Sequence, residues 1–375
     1  MDLKSGNMRK IVLTLLGIIF SVVAYCQSDF YIAQEFMSRK GVTLSPKAST
    51  RGGDTSSIFT GIDGKGFVIV KNGAVVGYST TNTATECLVR ANTRSYTLTP
   101  KTPIDPIVVA EWGQSYPFNW QTPIVENGRN APAGCGPVAL GEIMYYYRNT
   151  GCDALPDYSV WEGYVGIEGG LPATTFNWDL ILPKYTDNEY TEEQGDEVAK
   201  LIKYIGCATK SIYCFGYGGS FLNENDLPAL GFSTETYSVT TKMTDKELES
   251  LFDKELEKGR PLLLAGYNIT GTVGHWYVVD GRDDTGRYHI NFGGGGSGNG
   301  FYIISQDEYK ENPTDGPMLN NIWVTVPVMP KGWTTSVTTT KSDQQNGRVY
   351  NLQGQSVKTP SRGIYIKDGK KYIAK

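Results

Sequence analysis

The chain has 375 residues, 35 Lys+Arg against 39 Asp+Glu, and 44 glycines, 24 tyrosines and 7 tryptophans. At about 150 residues per domain this is two or three folded units, with ample length to bury a core. The near-balanced charge leaves no basic footprint for nucleic acid, and the glycine- and tyrosine-rich composition suits a β-rich, loop-rich protein better than a helical bundle.

The N-terminus reads as an export signal. Lys4, Arg9 and Lys10 precede an apolar run from Ile11 to Tyr25, shorter than the ~20 residues of a comfortable membrane span. Ala24-Tyr25-Cys26 puts a small residue at each end of a cleavage site, leaving Gln27 first. Lipid attachment at Cys26 is the alternative, and the bulk of Tyr25 weighs against it. No later segment is apolar enough to span a bilayer. Residues 1–27 are therefore expected to be a signal peptide, and the rest a secreted or cell-surface protein.

Residues 28–105 read as a separate unit. "FYIAQEFMSR" places Phe30, Ala33, Phe36 and Met37 near one face of a short helix. "GFVIV" and "AVVGYS" flank Asn72-Gly73, a strong tight-turn signal, and read as a β-hairpin. "TPKTPIDP", from Thr99 to Pro106, carries three prolines and reads as an extended linker. Its Lys101, exposed-looking and basic, is a candidate cleavage point, with Arg90 and Arg94 as alternatives.

Residues 106–330 form the large central region. One helix follows Cys135. A second is expected over 191–206, with Val198, Leu201, Ile202 and Ile205 on one stripe. A third is expected over 244–258, opened by Thr244 as N-cap with Glu247 three residues on. Strand-like runs follow: "PLLLAGY", "HWYVVDG", "RYHINFG" and "GFYIIS". Residues 331–375 are a polar linker followed by three short strands, "RVYNLQGQSV", "RGIYIKDG" and "KKYIAK".

Of six cysteines, Cys26 leaves with the signal, and Cys87, Cys135, Cys152, Cys207 and Cys214 remain. An odd number leaves at least one thiol without an internal partner; the pairing of the others is open. Cys135 stands apart. In "AGCGPVALGEIMYYYR" the apolar Leu140, Ile143, Met144 and Tyr147 recur at helical spacing, and Pro137 is tolerated in a first turn. Cys135 thus sits at the N-terminal mouth of a helix, where unpaired N–H groups and the macrodipole favour negative charge. There an ordinary thiol pKa of about 8.5 can fall to about 3.5–7.5, giving the nucleophilic thiolate. Gly134 and Gly136 let a substrate backbone approach closely. Position alone does not separate this from a packed structural cysteine; a histidine partner does.

Only His275 and His289 are available. If the hairpin "GHWYVVDGRDDTGRYHINFGG" turns about Asp283, His275 lies opposite Asn291, whose amide would orient the imidazole. His289 is the rival base; Asn291, two residues along the same strand, is poorly placed to orient it. His275 is the favoured base. Other motifs fail. "GGGGSG" formally fits a dinucleotide loop, but a strand rather than a helix follows, so it is read as a flexible glycine loop beside the site. "GGSGN" ends in Asn299 and misses the serine-hydrolase elbow. The Cys and His spacing suits no zinc site. No metal or cofactor is expected.

Taken in order, "GFVIV…VVGYS", "WGQSYPFN", "AGCGPVALGEIMYYY", "FNWD", "YGGS", "GRPLLLAGY", "GHWYVVDG" and "YHINFGGGG" resemble the motifs of the streptopain family of bacterial cysteine proteases. The resemblance implies an α+β, papain-like fold: a helical lobe, an antiparallel β lobe, an N-terminal α/β propeptide over residues 28–105, a catalytic domain over 106–330 and a small C-terminal β module. It implies Cys135 as nucleophile, His275 as general acid/base, Gln114 with the Cys135 N–H as oxyanion donors, and Asn291 as orienting residue. Gly134, Gly136, Gly219, Ser220, Gly274, Trp276 and Phe292 would line the substrate cleft. Partners would be polypeptide substrates and the chain's own propeptide, acting as intramolecular inhibitor. The family's two tryptophans after the asparagine are Phe292 and Gly294 here. A catalytically dead binding or inhibitory scaffold is the alternative this loss suggests; acyl transfer by the same dyad is another. The tail is similar to sorting-type modules of exported bacterial proteins.

Overall fold

A computed structural model of the chain describes residues 28–48, 56–84, 98–126, 128–148, 151–186, 189–220, 226–233, 243–267 and 274–304, with the strand residues 323–325, 349–350, 356–357, 363–367 and 370–374. The signal segment, Cys26, Cys87, Arg90 and Arg94 lie outside the described residues.

The N-terminal residues build α1 (28–38) and the strands β1 (Ser56–Thr60), β2 (Phe67–Lys71) and β3 (Ala74–Ser79). The β2–β3 turn is made as its sequence predicts: Asn72 and Gly73 both take positive φ, 50° and 73°, the backbone twist a two-residue hairpin needs. β2 is buried along its whole length. Phe67 and Ile69 enter one core, while Val68 and Val70 enter a second with Ala33 and Met37 of α1, as period-2 alternation requires.

The central helices follow. α2 (Cys135–Tyr147) is buried on nearly every side and leads to the short β4 (Gly151–Cys152) and β5 (Thr174–Thr175). α3 (Glu192–Ala208) starts at Thr191, whose capping box with Gln194 supplies two of the orphan groups of the first turn. Its predicted stripe, Val198, Leu201, Ile202 and Ile205, is fully buried, each side chain worth about 1.5–3 kcal/mol. α2 meets α3 at Gly141, where a β-carbon would lie 3.2 Å from Ile202 Cδ1. After β6 (Ile212–Cys214) and β7 (Tyr217–Gly219) comes α4 (Asp245–Leu256), opened by the expected Thr244–Glu247 capping box.

β8 (Leu262–Tyr267), β9 (Gly274–Arg282), β10 (Tyr288–Asn291), β11 (Gly300–Tyr302) and β12 (Trp323–Thr325) join β1–β3 in one antiparallel sheet, ordered β1-β2-β3-β11-β10-β9-β8-β12. The N-terminal strands, expected as a separate unit, therefore extend the edge of the sheet that carries His275. Two buried anchors reinforce the β3–β11 seam: Tyr78 Oη donates to Asp283 Oδ2 at 3.0 Å, and Arg287 Nη2 donates to the Val75 carbonyl at 2.6 Å. The proline-rich stretch is extended, as its composition predicts, but it is docked. Ile104 exchanges backbone hydrogen bonds with Arg282, and a β-carbon on Gly281 would meet the Ile104 carbonyl at 2.9 Å. Lys101 is not exposed. Its side chain is 11% accessible and bonds to Asp253 at 2.8 Å, Glu249 at 3.2 Å and Tyr288 Oη at 2.8 Å.

Residues 331–375 form a compact unit of their own, an antiparallel sheet ordered β14-β13-β15-β16 from β13 (Val349–Tyr350), β14 (Ser356–Val357), β15 (Gly363–Lys367) and β16 (Lys370–Ala374). The run "RVYNLQGQSV", expected as one strand, supplies two, paired Val349 to Val357.

Candidate active site

Gly134 caps α2 with φ 89° and ψ 139°, a left-handed backbone favourable only to glycine. The kink turns Cys135 into the helix mouth. There the His275 imidazole and the backbone N–H groups of Trp276 and Gly136 favour its thiolate form. Burial pushes the Cys135 thiol up, but the hydrogen bond and charge of His275, with the two N–H donors, hold it below its ordinary value. Burial lowers His275 in turn, while Cys135 and the carbonyl of Phe292 raise it above the usual histidine value. The pair thus favours thiolate and imidazolium together. Cys152 and Cys207 behave oppositely: burial pushes them up to about 12 and about 11. All four described cysteines are free thiols.

His275 stands near the start of β9, opposite Gly266 of β8. Its Nε2 lies 2.8 Å from the Phe292 carbonyl oxygen, leaving the other ring nitrogen for Cys135. Asn291 does not take the place expected for it. The β9–β10 register pairs Arg282 with Tyr288, so the hairpin turns about Thr285 rather than Asp283, and a bulge at His289/Ile290 brings Asn291 opposite Val278. The Asn291 amide is buried. It donates to the Ala110 carbonyl at 2.7 Å and accepts the Gly293 N–H at 3.0 Å. The rival His289 pairs with Gly281 across the strands, six residues or roughly 20 Å along β9 from His275. It bonds to Asp280 at 2.6 Å.

The remaining expected residues divide. The Gln114 carbonyl accepts the Ala133 N–H at 2.8 Å, which ties Gln114 to the segment entering Cys135. Gly274 is exposed beside His275. Ser220 and Trp276 are buried and joined, Trp276 Nε1 donating to the Ser220 carbonyl at 3.3 Å, and they pack under the helix start at Gly136. Gly136 has no room for a side chain, since a β-carbon would lie 2.8 Å from Ser220 Cβ and 2.9 Å from its Oγ. Gly219 is buried under the Tyr217 ring. The Phe292 side chain is 3% accessible and packs with Tyr277 and Tyr302, so it faces the core, not a substrate. Its contribution is its carbonyl, which no residue-type signal marks. The glycine loop read as flexible is tied down, Gly295 N–H donating to the Trp112 carbonyl at 2.7 Å and Gly298 N–H to that of Thr83 at 2.9 Å.

A cysteine at a helix mouth, paired with an imidazole from a facing antiparallel sheet, places the molecule among proteins of papain-like fold. The chain belongs to the peptidase C10 family, whose model matches residues 112–302. It is 28% identical over 216 residues to streptopain of Streptococcus pyogenes serotype M28 (strain MGAS6180), spanning 52% of this chain and 53% of that one. It is 30% identical over 207 residues to the thiol protease/hemagglutinin PrtT of Porphyromonas gingivalis, spanning 53% of this chain and 23% of that one. The match therefore spans about half the length of streptopain and less of PrtT. Among solved structures, a mutant fragment of Prevotella intermedia prointerpain A matches with TM-score 0.58 at 20% identity, over 76% of this chain and 99% of that one. Active wild-type interpain A from the same organism matches with TM-score 0.51 at 22% identity, over 62% and 97%.

Proposed function

We propose that this chain is a secreted cysteine endopeptidase made as a zymogen. The observation that carries the reading is the Cys135–His275 pair at the start of α2. The Cys135 thiolate attacks a peptide carbonyl, forming a thioester and displacing the amine. His275 protonates that amine, then takes a proton from the water that hydrolyses the thioester. Gln114 and the Cys135 N–H stabilise the oxyanion, one such donor being worth about 2.7–4 kcal/mol. Residues 28–105 are the propeptide. The larger share of this chain matched by prointerpain A than by interpain A supports that assignment, as does their docking on the His275 sheet. Export rests on the N-terminal signal pattern; no helix among the described residues is long and apolar enough to cross a membrane. The test is peptide hydrolysis by Cys135→Ala in a protease-free preparation. Activity and any self-processing should vanish, and full cleavage by this variant would overturn the assignment.

A further inference from the structure

The carbonyl that holds His275 belongs to an ordinary peptide unit, and a peptide unit is only as fixed as its own hydrogen bonds. The Phe292–Gly293 unit offers its C=O to His275 Nε2 at 2.8 Å and its N–H to Asn291 Oδ1 at 3.0 Å. Both bonds point in useful directions only if Asn291 and Phe292 are themselves held. One side chain does both. Asn299, 2% accessible, accepts the Phe292 N–H on Oδ1 at 2.9 Å and donates from Nδ2 to Asn291 Oδ1 at 3.0 Å. The loop between them, Gly293 to Gly298, has positive φ at Gly293, Gly295, Gly296 and Gly298 and carries no side chain of its own except that of Ser297. The loop's other ties, Gly295 N–H to Trp112, Gly298 N–H to Thr83, Tyr302 Oη to the Gly298 carbonyl at 2.5 Å and the Thr83–Ser297 hydroxyl contact at 3.4 Å, do not reach the Phe292–Gly293 unit.

We propose that Asn299 is a positioning residue for the catalytic imidazole, acting through the Phe292–Gly293 peptide. This rests on the peptidase reading above. An imidazolium is stabilised by a carbonyl aimed at its N–H, and proton transfer to and from Cys135 needs the ring in one orientation; small misplacements of such groups can cost about 100-fold in rate. An alanine at 299 removes both side-chain bonds. An aspartate keeps the acceptor for the Phe292 N–H and loses the donor to Asn291.

The test uses the full chain and its Asn299→Ala and Asn299→Asp variants. The pH dependence of Cys135 alkylation by iodoacetamide is followed by peptide mass spectrometry, with near-UV circular dichroism recording the fold. The alkylation midpoint in Asn299→Ala should move up toward the ordinary thiol value of about 8.5, with a smaller shift in the same direction for Asn299→Asp. On a peptide substrate, after the propeptide of each chain has been removed, kcat should fall about 10- to 100-fold in Asn299→Ala while KM changes little. Should Asn299→Ala fail to fold, the aspartate variant carries the test. Folded variants whose midpoint equals that of the wild type overturn the proposal. A wild-type chain that alkylates at a depressed midpoint but cleaves no peptide even after removal of residues 28–105 counts against the peptidase reading alone, because the variants' shifts still report on Asn299.

Discussion

His275 is held by Phe292 through its backbone, Nε2 to carbonyl oxygen at 2.8 Å, while the buried Phe292 ring packs among Tyr277, Tyr302 and the His275 ring. The orienting acceptor belongs to the backbone, and the side chain at 292 contributes packing against the imidazole and the core rings.

Reactivity at Cys135 should follow the ion pair. A thiol held below its ordinary value is thiolate at pH values where a free thiol is protonated, and it loses reactivity only as pH falls through the lowered value. His275, raised above its ordinary value, keeps its proton as pH rises until that value is passed. Hydrolysis should therefore be bell-shaped, with limbs that belong to the pair rather than to either group. Replacing His275 by Ala should move the alkylation midpoint of Cys135 upward. An unchanged midpoint would show that the ring does not act on the sulfur.

The same labelling should discriminate among the thiols. At pH 7.5 Cys135 should be modified first, and Cys152 and Cys207, buried and pushed up to about 12 and about 11, only after denaturation. Mass spectrometry of labelled peptides reads this directly, and modification of Cys152 in the folded chain at the Cys135 rate would contradict it.

Gly136→Ala should damage both stability and activity. In a helix interior alanine is normally the better residue by about 1 kcal/mol. Here its β-carbon would crowd Ser220 at 2.8 Å, and overpacking of this kind costs about 1–3 kcal/mol. Urea unfolding checks the sign. Adding Ser220→Gly removes the atoms in the way, at the cost of the Ser211–Ser220 hydrogen bond, and should recover part of the loss; a double variant worse than the sum of the singles would refute this account of the glycine.

Asp253 accepts from Lys101, Tyr288 and Arg282. Burial raises its pKa, but these donors outweigh burial and hold it below the ordinary value. A carboxylate depressed in the folded state contributes stability that is fully present above its unfolded value near 3.9 and is lost as pH falls through the lower folded one. Asp253→Asn should thus cost about 1–3 kcal/mol at neutral pH, with the gap to wild type closing in acid. Thermal melts at pH 7 and pH 3 measure it. The same burial should protect the bond after Lys101 from a lysine-specific protease in the folded chain, checked by N-terminal sequencing of the digest.

Local patterns carried the elements they govern. Asn72-Gly73, Thr244 with Glu247 and the α3 stripe act within a few residues, where backbone preference and hydrophobic period decide the outcome, and each forms as read. The mouth of α2 and the choice of Cys135 were legible for the same reason, since Gly134, Pro137 and the helical spacing are contiguous. The pairing with His275 required the scarcity of histidines in addition to pattern. What the tertiary structure alone decided is register and docking. A turn centred on Thr285 and one bulge at His289/Ile290 moved Asn291 away from the imidazole, and a one-residue change of register redirects every side chain on a strand. The joining of β3 to β11, the burial of Lys101 and the use of a backbone carbonyl as orienting group leave no trace in residue type, because they arise from which distant surfaces meet and not from what each stretch of chain prefers.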